Sequence, residues 1–317
     1  MTPHRPFRFA VQATAAESAA AWRDLARKSE DLGYSTLFHA DHYVGPGPAS
    51  EGSLLGAQQL APIASMAAAA AWTTTLRIGC RVFCIDYHVP AVLAKEAATL
   101  DFMSDGRLEL GIGAGWHADE YRAMGLDFGE GSQRVDKLVE VVALLKAFWS
   151  GEQIDLDGEH VQVGGFSGLP RPVQPRAPLM IGGARKRVLT LAAREADVVS
   201  MNNVPWADPD PMGEAECRIG YVRAGAGERF AEIELESAAS LVQVTDDPQS
   251  VLERVAPGLR NADPRLLARH PNVLVGSVAQ IVERLEERRE QLGINYVAVT
   301  GDNIDTFAPV VARLAGR

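Results

Sequence analysis

Residues 106–116 read GRLELGIGAGW, an apolar strand at Leu108–Ile112 running into a turn that holds Gly111, Gly113 and Gly115. Glycine has no Cβ, so such a turn can adopt backbone angles closed to other residues and lets another group approach the main chain. A tight turn with nothing bound and a platform for a flat ligand both fit this stretch taken alone. Its surroundings have to separate them.

On either side, short β-branched or apolar runs alternate with longer segments of helical period, the pattern of βα units in a parallel sheet. The strand candidates are 7–11, 35–38, 76–83, 108–112, 179–181, 197–201, 237–244 and 295–300. The helix candidates are 16–32, 58–72, 91–103, 132–149, 185–195, 212–226, a split pair 250–256 and 278–292, and 305–314. Pro90 opens one helix, and Gly33 and Gly293 stop two others. Residues 153–163, QIDLDGEHVQV, alternate about Asp157-Gly158 and predict a small β-hairpin inserted before strand five.

Eight βα units in 317 residues, with no Pro-, Gly- or Ser-rich linker between them, predict one domain over 1–317: an α/β fold of the (β/α)8 TIM-barrel type. An open doubly wound sheet competes. Its dinucleotide fingerprint would place glycines after the first strand, where this chain has Phe9-Ala10-Val11-Gln12; the glycines follow the fourth strand instead.

Composition narrows the function. With 47% hydrophobic and 23% charged residues the chain can bury a large core, and its net charge of −10, with no Lys/Arg cluster that approaches the basic stripe a phosphate backbone requires, argues against a nucleic-acid partner. The N-terminus lacks the apolar core of a signal peptide, and the longest apolar stretch, 61–72, is too short to span a bilayer, so no membrane partner and a cytoplasmic location are expected. Cys80, Cys84 and Cys217 lack disulfide or zinc spacing and read as small buried apolar residues.

A barrel places its active site at the C-terminal ends of the strands. There this sequence has Gln12; Asp41, His42 and Tyr43; Cys84, Asp86, Tyr87 and His88; and Gly113, Gly115, Trp116, His117 and Glu120. Further along come Gly182, Gly183, Ala184 and Arg185; Asn202 and Asn203; and Asp302 and Asn303. In IGGARKRVL, residues 181–189, two glycines precede a helix that opens with basic residues, which suits a phosphate at a helix N-terminus; solvated surface cations are the alternative. Asp41-His42 is the acid/base couple near a strand end, since an imidazole titrates near neutrality, although a structural histidine under the rim also fits. His39, Asp41, His42, His88 and His117 do not assemble a metal set of hydrolytic type, so no metal site is expected. No serine sits in a G-x-S-x-G elbow. Trp116, just past Gly115, suits a stacking platform for a planar ring.

Three blocks carry a family resemblance: HADHY at 39–43, HVPAVLAKEAATLDFMSDGRLELGIGAGWHADEYRAMG at 88–125 and PLMIGGARKRVLTLAAREADVVSM at 178–201. Together they resemble the luciferase-like monooxygenase superfamily, in particular its coenzyme F420-dependent oxidoreductases, and the likeness fades beyond residue 205. The resemblance implies a barrel that binds a deazaflavin or flavin through Asp41, Val82, Gly113, Ala114, Gly115, Trp116, Gly182, Gly183, Ala184, Arg185 and Met201. It implies that His42, paired with Asp41, assists proton transfer at the ring edge, that Gln12, Tyr43 and Trp116 face the substrate, and that a non-prolyl cis peptide falls between Cys80 and Phe83.

One departure bears on substrate. Relatives that oxidise sugar phosphates carry an acid after the glycine turn, where this chain has Trp116, which points to an apolar or conjugated small molecule. Three functions stay open: an F420-dependent oxidoreductase, an FMN-dependent monooxygenase served by a separate reductase, and a non-catalytic flavin-binding protein. The resemblance also implies a homodimer. Specificity is expected in the loops 44–57, 202–211 and 261–275.

Overall fold

The computed structural model describes residues 5–44, 58–175, 177–201 and 203–317. Along the chain the strands are β1 (Arg8–Gln12), β2 (Thr36–His39), β3 (Arg77–Cys80), β4 (Phe83–Cys84), β5 (Leu108–Gly113), β6 (Gln153–Asp157), β7 (Gln162–Ser167), β8 (Leu179–Gly183), β9 (Val198–Met201), β10 (Glu234–Ala238), β11 (Leu241–Val244), β12 (Val273–Gly276) and β13 (Ile294–Thr300). The helices are α1 (Ala19–Asp31), α2 (Pro62–Trp72), α3 (Pro90–Met103), α4 (Ala118–Ala123), α5 (Gly131–Ser150), α6 (Lys186–Glu195), α7 (Pro211–Ala226), α8 (Pro248–Val255), α9 (Pro264–Leu267), α10 (Val278–Leu292) and α11 (Ile304–Leu314).

One sheet runs β3-β2-β1-β13-β10-β9-β8-β5-β4, and a further pairing of β3 with β5 closes the ring. Because β3 and β4 are two halves of one strand interrupted at Arg81 and Val82, the ring has the eight strands of a (β/α)8 barrel. Strands β2, β5 and β9 are buried at every position, as expected where parallel strands are covered on both faces. None of the described helices is long and apolar enough to cross a membrane.

Local chemistry sets the element ends. Pro90 opens α3 without needing an N–H partner. Ser277 and Gln280 form a reciprocal capping box at the start of α10, and Gly293, at φ 77°, closes that helix in the left-handed region.

Several expected boundaries move. The first helix, expected from residue 16, begins at Ala19 because the Ser18 hydroxyl accepts the Ala21 N–H. The second, expected from 58, begins at Pro62. The strand expected over 237–244 is two strands, because Ala239 N–H donates to Ala298 O whereas Ser240 N–H donates to Asn272 O. The chain changes sheets at that step: β10 stays in the barrel and β11 pairs in parallel with β12 in a separate two-stranded sheet. Strands β6 and β7 pair antiparallel between α5 and β8. Cys217 is exposed, unlike the buried Cys80 and Cys84, so the reading of all three as core residues is corrected.

By internal contacts the chain divides into two compact units. The first holds 13–28 and 37–182. In it Arg107 ties the base of the strands by donating to the carbonyls of Ala70, Leu76 and Ser104. Asp101, fully buried, accepts the backbone N–H groups of Val173 and Gln174.

The second unit, from its described residues 5–12, 29–36, 183–201 and 203–317, packs Phe9 between Phe7 and Phe307 at ring distances of 5.9 and 5.8 Å. Buried Arg288 donates to the carbonyls of His270, Pro271 and Val273. His270 stacks on Trp206 at 4.9 Å, and its Nδ1 accepts the Asn272 N–H, a role only the unprotonated nitrogen can fill.

Two predictions follow from this unit. Burial, with Arg288 nearby, lowers the His270 pKa from its usual 6.5 to about 4. A folded value below the unfolded one gives stability that is fully present above pH 6.5 and lost as pH falls toward 4, about 3 kcal/mol over that window. Urea unfolding at pH 7.5 and pH 4.5 should show this loss, and His270→Asn should remove most of the difference. Within α7, Gly220 faces open space whereas a Cβ on Gly225 would lie 3.0 Å from Ala193 Cβ and 3.2 Å from Thr190 Cα. Gly220→Ala should therefore raise unfolding free energy by about 0.5–1 kcal/mol, and Gly225→Ala should lower it by about 1 kcal/mol.

Candidate active site

Strand β2 ends in His39, and the chain continues through Ala40 into Asp41, His42 and Tyr43. Asp41 is buried, and its Oδ2 accepts the Cys84 N–H and a hydrogen bond from His88 Nε2, both at 2.9 Å. The turn after β2 is thereby fastened to the turn after β4. His88 also meets the Phe83 ring edge-on at 5.3 Å.

His42 faces a different carboxylate. Its Nδ1 lies 2.6 Å from Glu120 Oε2, which also accepts the Tyr87 hydroxyl at 3.0 Å. The other oxygen, Oε1, accepts the N–H groups of Tyr43 at 2.6 Å and Val44 at 3.3 Å. Glu120 is 0% exposed. Burial raises its pKa, but the hydrogen bonds from His42, the Tyr43 N–H and Tyr87 outweigh it, and the carboxyl sits below its usual range as an anion. Burial first pushes the Tyr43 and Tyr87 phenols up, with Asp41 beside Tyr43 and Cys84 and Glu120 beside Tyr87 adding to it, so both remain protonated.

Glu120 was one of several polar residues expected near the rim, with no role attached to it. Its carrier, the short helix α4, was not anticipated, and its partners lie 33 to 78 residues away in sequence. Only its place in the block that follows the glycine turn marks it out in the sequence.

A second polar chain lies alongside. Tyr121, fully buried, donates to Asp86 Oδ2 at 2.8 Å and stands 3.0 Å from Cys84 Sγ, while Lys137 Nζ donates to Asp86 Oδ1 at 2.7 Å. Burial pushes the Cys84 thiol up to about 12, which makes it a poor nucleophile.

The glycines do not leave the room for a ligand that their sequence implies. A Cβ on Gly115, which sits at φ 76°, would overlap Tyr121 Oη and Cys84 Sγ. A Cβ on Gly111 would overlap Cys80 O. On Gly113 and Gly182 it would press against the Val82 methyls at 2.8 and 3.1 Å, and on Gly183 it would meet Val188 Cγ1 at 2.5 Å. Each missing side chain is replaced from inside the protein, so close packing supplies a sufficient reason for these glycines. The Arg81–Val82 peptide is cis, within the segment 80–83 where the resemblance placed one.

The other anticipated residues stand as follows. Ala114 O accepts from Arg134 Nε at 3.2 Å. Trp116 is 57% exposed and meets the His42 ring edge-on at 5.8 Å. Tyr43, 42% exposed, meets Tyr87 edge-on at 6.0 Å. These side chains and Asp41, His42, Val82, Gly113, Gly115 and Gly182 all belong to the unit of 13–28 and 37–182. Gln12, Gly183, Ala184, Arg185 and Met201 belong to the other unit. There Arg185 stands at the residue before α6 with no side-chain capping hydrogen bond, Met201 is buried at the end of β9, and Gln12 pairs with Thr300. Asn202 and the loop residues 45–57 lie outside the described residues. Among the described residues no three His, Cys, Asp or Glu side chains come together as a metal site.

One observation tests whether these residues suit a flat nitrogen heterocycle. Asp41 Oδ1 is buried without a hydrogen-bond partner among the described residues, and a buried acceptor of this kind calls for a donor. A ring N–H supplies one, so this acceptor suits a flavin-like group.

Comparison with known proteins places the chain in a family. A family model of luciferase-like monooxygenases matches residues 5–296. An uncharacterized protein of Mycobacterium tuberculosis is 34% identical over 183 residues, which cover 54% of this chain and 64% of that protein. An F420-dependent glucose-6-phosphate dehydrogenase of Nakamurella multipartita is 32% identical over 236 residues, covering 71% of this chain and 65% of that enzyme. The matched stretches thus span a little under two thirds of these relatives. The structure of a coenzyme F420-dependent tetrahydromethanopterin reductase from Methanopyrus kandleri shares the fold with a TM-score of 0.76, covering 98% of both chains at 18% identity. The family model runs from before β1 into β13 and includes every residue of the Asp41, His42 and Glu120 constellation, and the chain belongs to the luciferase-like monooxygenase family.

Proposed function

We propose that this protein is an F420-dependent oxidoreductase that moves a hydride between the reduced deazaflavin and a small apolar or conjugated organic molecule. The observation that carries this reading is His42, held by a buried carboxylate through Nδ1, with no described residue bonded to Nε2 and with Trp116 at its edge. Reducing an activated double bond adds a hydride to one atom and a proton to its neighbour, and a positioned imidazole is suited to deliver the proton.

The deazaflavin, when bound, supplies the hydride. Asp41 and Val82 would hold its ring, the first through the acceptor at Oδ1, the second by the half-buried side chain packed over Gly113 and Gly182. Taken by itself, the other unit has Arg185 at the N-terminal end of α6, just after Gly183 and Ala184, where a cation at a helix N-terminus suits an anion such as a phosphate. Trp116 presents an aromatic face where relatives acting on sugar phosphates carry an acid, which favours an apolar substrate. The related dehydrogenase of Nakamurella multipartita supports the choice of F420.

Fluorescence titration with F420 and with FMN tests the cofactor. F420 is expected to bind, with FMN at least tenfold weaker; tight FMN binding without F420 affinity overturns the reading in favour of a monooxygenase. With reduced F420 and cyclic enones as double-bond probes, His42→Ala should lower turnover by about 10²–10⁴-fold. Unchanged turnover would remove His42 from proton transfer, and cofactor binding with no turnover on any probe would leave a flavin-binding protein.

A further inference from the structure

We infer that Glu120 is a positioning residue that fixes the proton of neutral His42 on Nδ1 and so leaves Nε2 as the nitrogen that gives and takes protons. The inference deepens the proposed function and rests on it for its catalytic consequence. The tautomer assignment itself stands on the hydrogen bonds alone.

Glu120 is an anion and accepts only, so the nitrogen that faces it at 2.6 Å must carry the hydrogen. The carboxylate cannot turn to relax that demand, because Oε1 is pinned by two backbone N–H donors, from Tyr43 and Val44, that have no acceptor form. Oε2 is thereby presented to His42 and Tyr87. A doubly protonated His42 that gives up the Nε2 hydrogen returns directly to the tautomer Glu120 favours. The substrate atom gains that hydrogen, His42 loses one positive charge, and Glu120 remains an anion throughout. This division of labour follows the general rule that a buried carboxylate orients a catalytic imidazole without itself taking the proton.

The same pinning makes one variant diagnostic. In Glu120→Gln the amide oxygen must occupy the Oε1 position, because the two backbone donors there cannot accept from an NH₂ group. The amide NH₂ then faces His42 Nδ1 and donates to it, which moves the imidazole hydrogen to Nε2. The isosteric change reverses the tautomer without removing a side chain.

Histidine-labelled protein free of cofactor, observed by ¹⁵N–¹H NMR with the imidazole neutral, reads this directly. Wild type should show His42 with Nδ1 protonated and Nε2 bare, Tyr87→Phe should keep that pattern, and Glu120→Gln should show the reverse. Nε2–H in wild type, or an unchanged tautomer in folded Glu120→Gln, overturns the inference. Should Glu120→Gln fail to fold by circular dichroism, the wild-type and Tyr87→Phe spectra still decide it, since the Nε2–H tautomer in either sinks it. In turnover of enone probes with reduced F420, Glu120→Gln should lower kcat by about 10²–10⁴-fold with KM within about threefold; a loss confined to KM contradicts the positioning role. Absence of F420 binding would sink the proposed function and leave the NMR result standing.

Discussion

A single buried carboxylate organises the candidate site. Glu120 has no contact with solvent, yet it is ionised, a combination that is costly unless every lone pair finds a strong donor. Four donors meet that requirement: a histidine nitrogen, a phenol and two backbone N–H groups. They come from two separate stretches, the loop after β2 and the turn after β4, while the acceptor rides on α4. The loop that carries His42 and Tyr43 therefore takes its course from the need to satisfy one anion. Charge-assisted bonds are short and directional, so they orient the imidazole as well as stabilise the charge.

Asp41 divides its oxygens differently. Oδ2 is committed to Cys84 and His88, which gives the loop a second anchor one residue before His42, whereas Oδ1 is unmatched among the described residues. One carboxylate is fully engaged inside the protein and the other keeps an acceptor in reserve. Under the proposed function this difference suits them to different tasks, the first to hold a side chain and the second to meet a ligand. The glycines around them serve close packing: Val82 nests on Gly113 and Gly182, and Tyr121 fills the space beside Gly115. Any platform for a flat ring would be formed by the side chain those glycines admit, more than by bare backbone.

Much of the fold was legible in the sequence because its signals are local. Alternation of short apolar runs with helical periods identified the eight units, and Pro90 and Gly293 marked their ends by simple stereochemistry. The misreading over 237–244 has a specific cause. An unbroken apolar run conceals a change of hydrogen-bonding partner between Ala239 and Ser240, and partners are not written in the run itself. Helix α4, six residues long, is too short to announce itself by period. Cys217 was misjudged because residue type states a preference for burial and a helix face decides it.

By itself the sequence determined the barrel class, the family and the gathering of Asp41, His42 and Trp116 near strand ends, because each depends on patterns that persist over many residues. Only the tertiary structure decided which carboxylate His42 answers to. Adjacency in the chain suggested Asp41, but consecutive side chains leaving a strand diverge, and the hydrogen bond to Nδ1 comes from Glu120, 78 residues away. The reason glycine stands at 111, 113, 115 and 182 was likewise decided in three dimensions: what a missing Cβ makes room for depends on the neighbours that folding brings, and here those neighbours are Cys80, Val82, Cys84 and Tyr121.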